Sequence, residues 1–482
     1  MKFFNQIREL LLNNKDIKQK IAKNTFWLFF GQILGRITRI AIIVYAARVL
    51  GPASWGAFSY AMGLVAFMTI FSDIGVSAIV TREASKNPDQ SRAYFSTALG
   101  IKLALLAAGA LLLIFGAPYL TNIKEAQMLM PLIALVLVFD SLRNFGFAIS
   151  RSEEKMEREG INEVITNIAI TGFGFLALLR SPSSTALTTA YIVATGIGFL
   201  LIAWQLKSYF RGISTYFDMS LAKPILSMAW PFALASSLGA IMINTDTIMV
   251  GWLRSAEEVG FYSAALRPVQ LLYVLPTLFA ASLFPTFTRL ARNNDAEFKN
   301  ILETALTISL LLALPIAFGG AIIGDQFMNL LFGNEYHSAA LPFQILILTT
   351  LIVFPSAIIS NAIFAYNEQK RFVTFSGLGA GGNIFFNFLL IPYFGIAGCA
   401  ISTVFTQLIA NGFIWKKMKA INHFSILGKL KKVFIATLVM SLVLFLLKTS
   451  GAPLLFNLSL AIAVYLATLK ITKEKLLEDL LV

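Results

Sequence analysis

Polar and apolar positions divide this chain on a coarse scale. Apolar runs of about twenty residues, the length a helix needs to cross a ~30 Å hydrocarbon layer, are separated by short segments that collect the charges. Fourteen such runs are read, the first seven at 25–47, 56–80, 94–115, 128–150, 162–179, 186–205 and 225–250. The other seven fall at 259–283, 302–323, 340–365, 372–391, 397–416, 432–448 and 453–470. A helix satisfies its own backbone hydrogen bonds in lipid, whereas a membrane β-barrel would show ten-residue alternating segments, and none is seen. The pattern therefore predicts an all-α integral membrane protein of about fourteen transmembrane helices.

Composition agrees. Of 482 residues, 57% are hydrophobic and 13% charged, against about a quarter charged in soluble domains. The basic residues also fix an orientation. With the N-terminus in the cytoplasm, 29 Lys and Arg fall in cytoplasmic segments and five (Arg48, Lys124, Arg180, Arg254, Lys448) on the other side. By the positive-inside rule both termini are expected in the cytoplasm of a plasma (inner) membrane protein. The same bias accounts for the net charge of +14 through topology and anionic membrane lipids, without nucleic acid. Residues 1–23 do not read as a signal peptide, because the apolar run starts too late. Phe3, Phe4, Ile7, Leu10 and Leu11 at helical spacing suggest an amphipathic helix on the cytoplasmic surface, and the tail from Lys470 to Val482 has a similar character.

Catalytic and metal chemistry find little support. The single cysteine, Cys399, lies in a span, and His337 and His423 lie far apart in loops. There is no HExxH, P-loop or GxSxG pattern. A membrane glycosyltransferase or polymerase would need a large extramembrane loop with acidic residues, and no loop exceeds about twenty residues. No cofactor, metal or enzymatic activity is expected.

Repetition organises the chain. Gly56, Phe58, Ser59 and Ala61 are echoed by Gly260, Tyr262, Ser263 and Ala265, and Thr81-Arg82 with Ala84 by Thr288-Arg289 with Ala291. The near-constant offset predicts two parallel six-helix lobes. The expected divisions are a cytoplasmic amphipathic segment at 1–23, an N-terminal lobe at 24–206, a C-terminal lobe at 207–419, and two further spans with a cytoplasmic tail at 420–482.

Three patches carry a resemblance. They are Arg48-Val-Leu-Gly-Pro-Ala-Ser-Trp-Gly-Ala-Phe-Ser with Phe71-Ser-Asp-Ile-Gly75 and Thr81-Arg-Glu-Ala84; Leu331-Phe-Gly-Asn-Glu-Tyr336 with Ala339 to Leu346; and Asn387-Phe-Leu-Leu-Ile-Pro392-Tyr-Phe-Gly395 running on to Thr403. Together they resemble the polysaccharide repeat-unit flippases (Wzx type) of the multidrug/oligosaccharidyl-lipid/polysaccharide exporter superfamily. The resemblance implies two six-helix lobes around a cavity lined by spans one, two, seven and eight, and alternating access without ATP. It implies as substrate a polyprenyl-pyrophosphate-linked oligosaccharide, carried from the cytoplasmic to the outer leaflet by a monomer. Polysaccharide polymerase machinery is a further candidate partner. Two rivals share the scaffold: a lipid II flippase, and a Na⁺- or H⁺-coupled drug or metabolite antiporter. The antiporter predicts a carboxylate in span one, which this chain lacks.

Ionisable residues inside spans are functional candidates because they are costly there. Arg36 and Arg39 share one face of span one. With Arg267 and Arg143 they form the candidate substrate-binding set, since arginine matches phosphate in a bidentate fork. Asp73, Asp140 and Asp246 are candidates for ion coupling or charge pairing. Asp140 and Arg143, three apart, are expected to neutralise each other, Lys102 to snorkel toward the cytoplasm, and Asp246 to sit in a solvated mouth. Asp73 either pairs with Arg36 or caps a helix break. Five basic residues against three acidic ones leave the spans net positive, which suits an anion. Pro231, Pro268, Pro276, Pro285 and Pro355 are candidate bends, and Gly31 and Gly35 are expected to loosen span one.

Overall fold

The computed structural model describes residues 17–472, so the amphipathic reading of residues 1–16 and that of the tail beyond Thr472 lie outside the described residues. All described secondary structure is helical. The principal helices of the first half are α1 (Ile17–Phe71), α2 (Val76–Lys86), α3 (Ser91–Leu111), α4 (Lys124–Ser152), α5 (Met156–Arg180), α6 (Ser184–Gln205) and α7 (Ala222–Leu253). Those of the second half are α8 (Ala256–Leu272), α9 (Val274–Leu290), α10 (Asp295–Phe332), α11 (Ala340–Leu346), α12 (Thr350–Ala365), α13 (Arg371–Asn422), α14 (Leu427–Thr449) and α15 (Leu454–Ile471).

Two of these helices are too long for one crossing. A straight 52-residue α13 would run roughly 78 Å at 1.5 Å per residue, more than twice the hydrocarbon thickness. It is divided at Gly395, whose φ of 56° lies where only glycine is at ease. Asn387, eight residues before, and Thr403, eight after, both bond Asp246, so the two arms lie side by side as an antiparallel pair. Gly51, at φ 70° and ψ 171°, divides the 55-residue α1 in the same way. Among the described residues, ten helices have the length and apolar composition of a span, and two bent pairs raise this to twelve. Both divided helices are among the twelve, and their second arms make up the fourteen crossings expected. Where short loops were expected near residues 48–55 and 392–396, the chain instead turns within a few residues at a glycine.

Polar residues cap three further N-termini. Ser183, Ser255 and Asn294 cap α6, α8 and α10 by accepting hydrogen bonds from Ala186, Glu258 and Glu297 amides, satisfying donors that a helix N-terminus leaves orphaned. Span two is interrupted between α1 and α2, which meet at 44°. Asp73 lies in that break and accepts from the Ser77 amide at 3.1 Å and the Ser77 hydroxyl at 2.5 Å.

The chain forms two compact units, one up to Asn244 and one from Thr245 onward. The first is centred on Val76, Ile79, Phe95, Phe145, Phe147 and Ile202. The second is centred on Phe287, Phe298, Leu306, Phe354, Ile358 and Ile414. In the first unit α1 and α5 approach backbone to backbone. A Cβ on Gly31 would lie 2.6 Å from Gly160 Cα, and one on Gly160 2.4 Å from the Trp27 carbonyl. Gly31 and Gly35 therefore seal a close helix crossing, which corrects the expectation that they loosen span one.

Candidate functional site

In the first unit, α1, α4 and α5 bring together a chain of polar side chains. Arg143 on α4 is 4% exposed. Its Nη2 donates to Asp140 Oδ1 at 2.7 Å and lies 3.3 Å from Glu163 Oε1 on α5. Asn144 donates to the other Asp140 oxygen at 3.2 Å. One turn beyond Glu163, Asn167 donates its amide to the Glu163 carbonyl at 2.7 Å and to Glu163 Oε2 at 3.3 Å. Its Oδ1 accepts from Arg39 Nε on α1 at 2.8 Å. Arg143 Nε and Nη1 have no hydrogen-bond partner, and its guanidinium lies 5.5 Å from the Phe147 ring centroid. A desolvated cation is tolerable here because two carboxylates flank it.

Arg36 and Arg39 differ from Arg143. Neither touches a carboxylate among the described residues. Arg36 is exposed and Arg39 half-buried. Arg267, exposed on α8, belongs to the second unit and is not brought to them within either unit. The structure thus separates Arg143, a structural cation held by Asp140 and Glu163, from the two arginines of α1.

Asp73 and Lys102 depart from expectation. Lys102 is fully buried and donates to Asp73 Oδ2 at 2.8 Å. It does not snorkel, because a carboxylate is available at its own depth. Asp73 pairs with Lys102 and not with Arg36, while also capping the break before α2.

The second unit holds a different site. Asp246 on α7 is 3% exposed. Its Oδ1 accepts from Asn383 Nδ2 and Asn387 Nδ2, and its Oδ2 from the Tyr262 and Thr403 hydroxyls, all at 2.8 Å. All four partners are neutral, and no ion pair joins Asp246 to a cationic side chain among the described residues. The solvated mouth expected here is instead a closed polar box built by α7, α8 and both arms of α13. Asn387 Oδ1 within it is buried without a partner. The Thr403 hydroxyl, which also faces the Cys399 carbonyl at 3.0 Å, has one proton for two acceptors. The box thus offers carboxylate, amide, hydroxyl and carbonyl oxygens, a donor set for a hard cation.

Sequence reasoning confined to ionisable residues in mid-span missed Glu163, Asn167, Tyr262, Asn383 and Asn387. The signal lay in polar pairs one helical turn apart in apolar runs: Glu163/Asn167 in span five and Asn383/Asn387 in span eleven. Glu163 and Glu303 also lie inside the runs 162–179 and 302–323, which changes the charge count in the spans from five against three to five against five. The positive surplus is therefore local to α1 and not a property of the spans as a whole.

The helix count and the two divided helices define a multi-span helical membrane protein. The fold is that of a solved lipid II flippase MurJ in an inward closed conformation, with TM-score 0.75 and 17% identity over 94% of this chain and 99% of that one. The model of the family described as polysaccharide biosynthesis protein matches residues 21–291, more than half of the chain, and the chain belongs to that family. A MatE model matches residues 231–389. A Shigella flexneri protein provisionally named an O-antigen transporter is 24% identical over 79% of this chain and 94% of its own. Agl15 of Haloferax volcanii, provisionally named a low-salt glycan biosynthesis flippase, is 24% identical over 80% of each.

Proposed function

We propose that this protein is a flippase that turns a polyisoprenoid-pyrophosphate-linked oligosaccharide from the cytoplasmic to the outer leaflet by alternating access. The observation that carries the reading is the α1 face: two arginines one turn apart at mid-span, neither neutralised by a carboxylate. Arginine left without a countercharge at that depth is costly, and a diphosphate supplies the charge and the bidentate geometry it lacks. A cationic-drug exporter would require the opposite sign there. Membership in a polysaccharide biosynthesis family supports a glycan-bearing lipid over a drug or metabolite. Arg267 is proposed as a weaker contact nearer the exit, and Arg143 as the buried support of the α1 arginines. The protein works as a monomer among membrane lipids, handing product to polysaccharide polymerase machinery.

The basic asymmetry supports cytoplasmic termini in a plasma membrane. Reporter fusions at residues 90, 290 and 425 are expected in the cytoplasm and fusions at 122 and 330 outside; a cytoplasmic signal at 330 overturns the span count. With this orientation the inside-negative potential favours outward movement of an anion by about 2.3 kcal/mol per charge per 100 mV. Asp246 is the proposed coupling residue: a buried carboxylate among neutral donors is costly alone, and a cation held by Asp246, Asn387 and Thr403 would neutralise it. The test of the function is deletion of the gene and assay of lipid-linked oligosaccharide by leaflet. Accumulation on the cytoplasmic leaflet is expected; unchanged export and no accumulation would overturn the reading.

A further inference from the structure

Asn167 is a side chain with an unusual set of neighbours. It is 5% exposed, and its amide is oriented from both ends: Nδ2 is committed to Glu163, so Oδ1 faces Arg39 Nε at 2.8 Å. The reverse orientation would set an amide N–H against the guanidinium and a carbonyl against a carboxylate. Space for it exists only because residue 35 is glycine. A Cβ there would lie 2.6 Å from Asn167 Nδ2. Gly35 and Arg39 are one helical turn apart on α1, so the side chain that docks over the first holds the second.

What Asn167 takes from Arg39 is limited. A guanidinium carries five N–H donors, and Asn167 uses the one on Nε. The four on the two Nη atoms have no protein acceptor among the described residues. Asn167 is also neutral. A carboxylate at this place would hold Arg39 equally well but would cancel its charge. The Glu163 carboxylate stands one turn away and is turned to Arg143, so the network keeps its negative charge on the buried arginine and off the half-buried one.

We infer that Asn167, seated over Gly35, is a positioning residue that presents the Nη edge of Arg39, fully charged, to the pyrophosphate of the substrate. This rests on the reading of Arg39 as a substrate contact given above. Fixing the fork in advance reduces the ordering that binding must otherwise supply. Leaving it unpaired preserves the charge-assisted bonds that a diphosphate accepts.

The test moves one charge by one helical turn. In the double variant Glu163→Gln with Asn167→Asp, net charge is kept, and the carboxylate passes from Arg143, which retains Asp140, to Arg39. Affinity of the purified full chain in detergent is measured for geranylgeranyl pyrophosphate, with geranylgeraniol as the probe that lacks the charge. Thermal unfolding of each variant controls for folding. The wild type is expected to prefer the pyrophosphate. The double variant should stay folded and keep its affinity for the alcohol while losing about tenfold or more in affinity for the pyrophosphate. Gly35→Ala, which displaces Asn167, should weaken pyrophosphate binding in the same direction. Pyrophosphate affinity unchanged in the double variant, while Arg39→Gln reduces it, overturns the role of Asn167 and leaves Arg39 as the contact. Unchanged affinity in Arg39→Gln itself overturns the underlying reading. A double variant that fails to fold passes the decision to Asn167→Ala, in which wild-type preference for the pyrophosphate would equally overturn the proposal.

Discussion

The two units handle charge inside the membrane in opposite ways. In the first, Arg143 is enclosed by Asp140 and Glu163, with its nearest carboxylate oxygen at 2.7 Å, and the α1 arginines beside this closed network keep their charge. In the second, Asp246 is enclosed by four neutral donors, all at 2.8 Å, and the charge that goes uncompensated is negative. Burial of a charge is tolerated where a countercharge sits beside it, as Asp140 and Glu163 do for Arg143, and Asp246 has donors but no such countercharge among the described residues. On the function proposed above, the α1 arginines would meet an anion and Asp246 a cation. A transporter that couples an anionic lipid to a cation needs one site of each sign.

The largest effect that can break this comparison is on export. Arg36→Gln and Arg39→Gln are expected to abolish it at normal protein levels, because Gln keeps the reach but not the charge, while Lys at either position leaves partial function. Equal export from the Gln and Lys variants, tracking protein level, would make both arginines structural. The next effect is on stability. Asp140→Ala leaves Arg143 with only Glu163 at 3.3 Å and should cost about 3 kcal/mol in unfolding free energy. Asp140→Ala combined with Arg143→Ala should be milder, since removing a buried pair costs less than stranding half of it. A double variant worse than both singles would remove the pairing from the account.

Asp246→Asn sharpens the other side. It retains the shape of the box and removes the uncompensated charge, so the unfolding midpoint should hold or rise. The wild type should be stabilised by its coupling cation, by about 2.7 kcal/mol at a hundred times the dissociation constant, and the Asn variant should not. Equal cation response in both would dissociate Asp246 from coupling. The smallest effect concerns packing. Gly31→Ala places a Cβ 2.6 Å from Gly160 Cα and should cost about 1–3 kcal/mol. Gly377→Ala, with nothing within 4 Å of the added carbon, should be neutral in the same denaturation assay.

Much of the architecture was legible because hydrophobic length is a one-dimensional property. The fourteen crossings follow from runs of apolar residues, and the turns at Gly51 and Gly395 lay inside quoted motifs whose role only the backbone angles explain. The pairing of Asp140 with Arg143 was legible too, since three residues along a helix is a contact distance. What sequence reasoning missed depended on contacts between spans. Lys102 could be seen as deep but not as facing Asp73, 29 positions away. Asp246 could be placed near the outer end of its span, but its enclosure is made by Tyr262, Asn383, Asn387 and Thr403, which arrive from other helices. Gly31 and Gly35 looked like flexible positions until Gly160 and Asn167 were found against them.

The most direct test of the central claim is transbilayer movement of the lipid itself. The purified chain is reconstituted in liposomes with a fluorescent polyprenyl-pyrophosphate-linked oligosaccharide, and the fraction reached by an added membrane-impermeant quencher is followed in time. The account predicts exchange well above that of protein-free liposomes for the wild type, and exchange at the protein-free rate for Arg39→Gln. Wild-type exchange at the protein-free rate, or equal exchange by the wild type and Arg39→Gln, would contradict it.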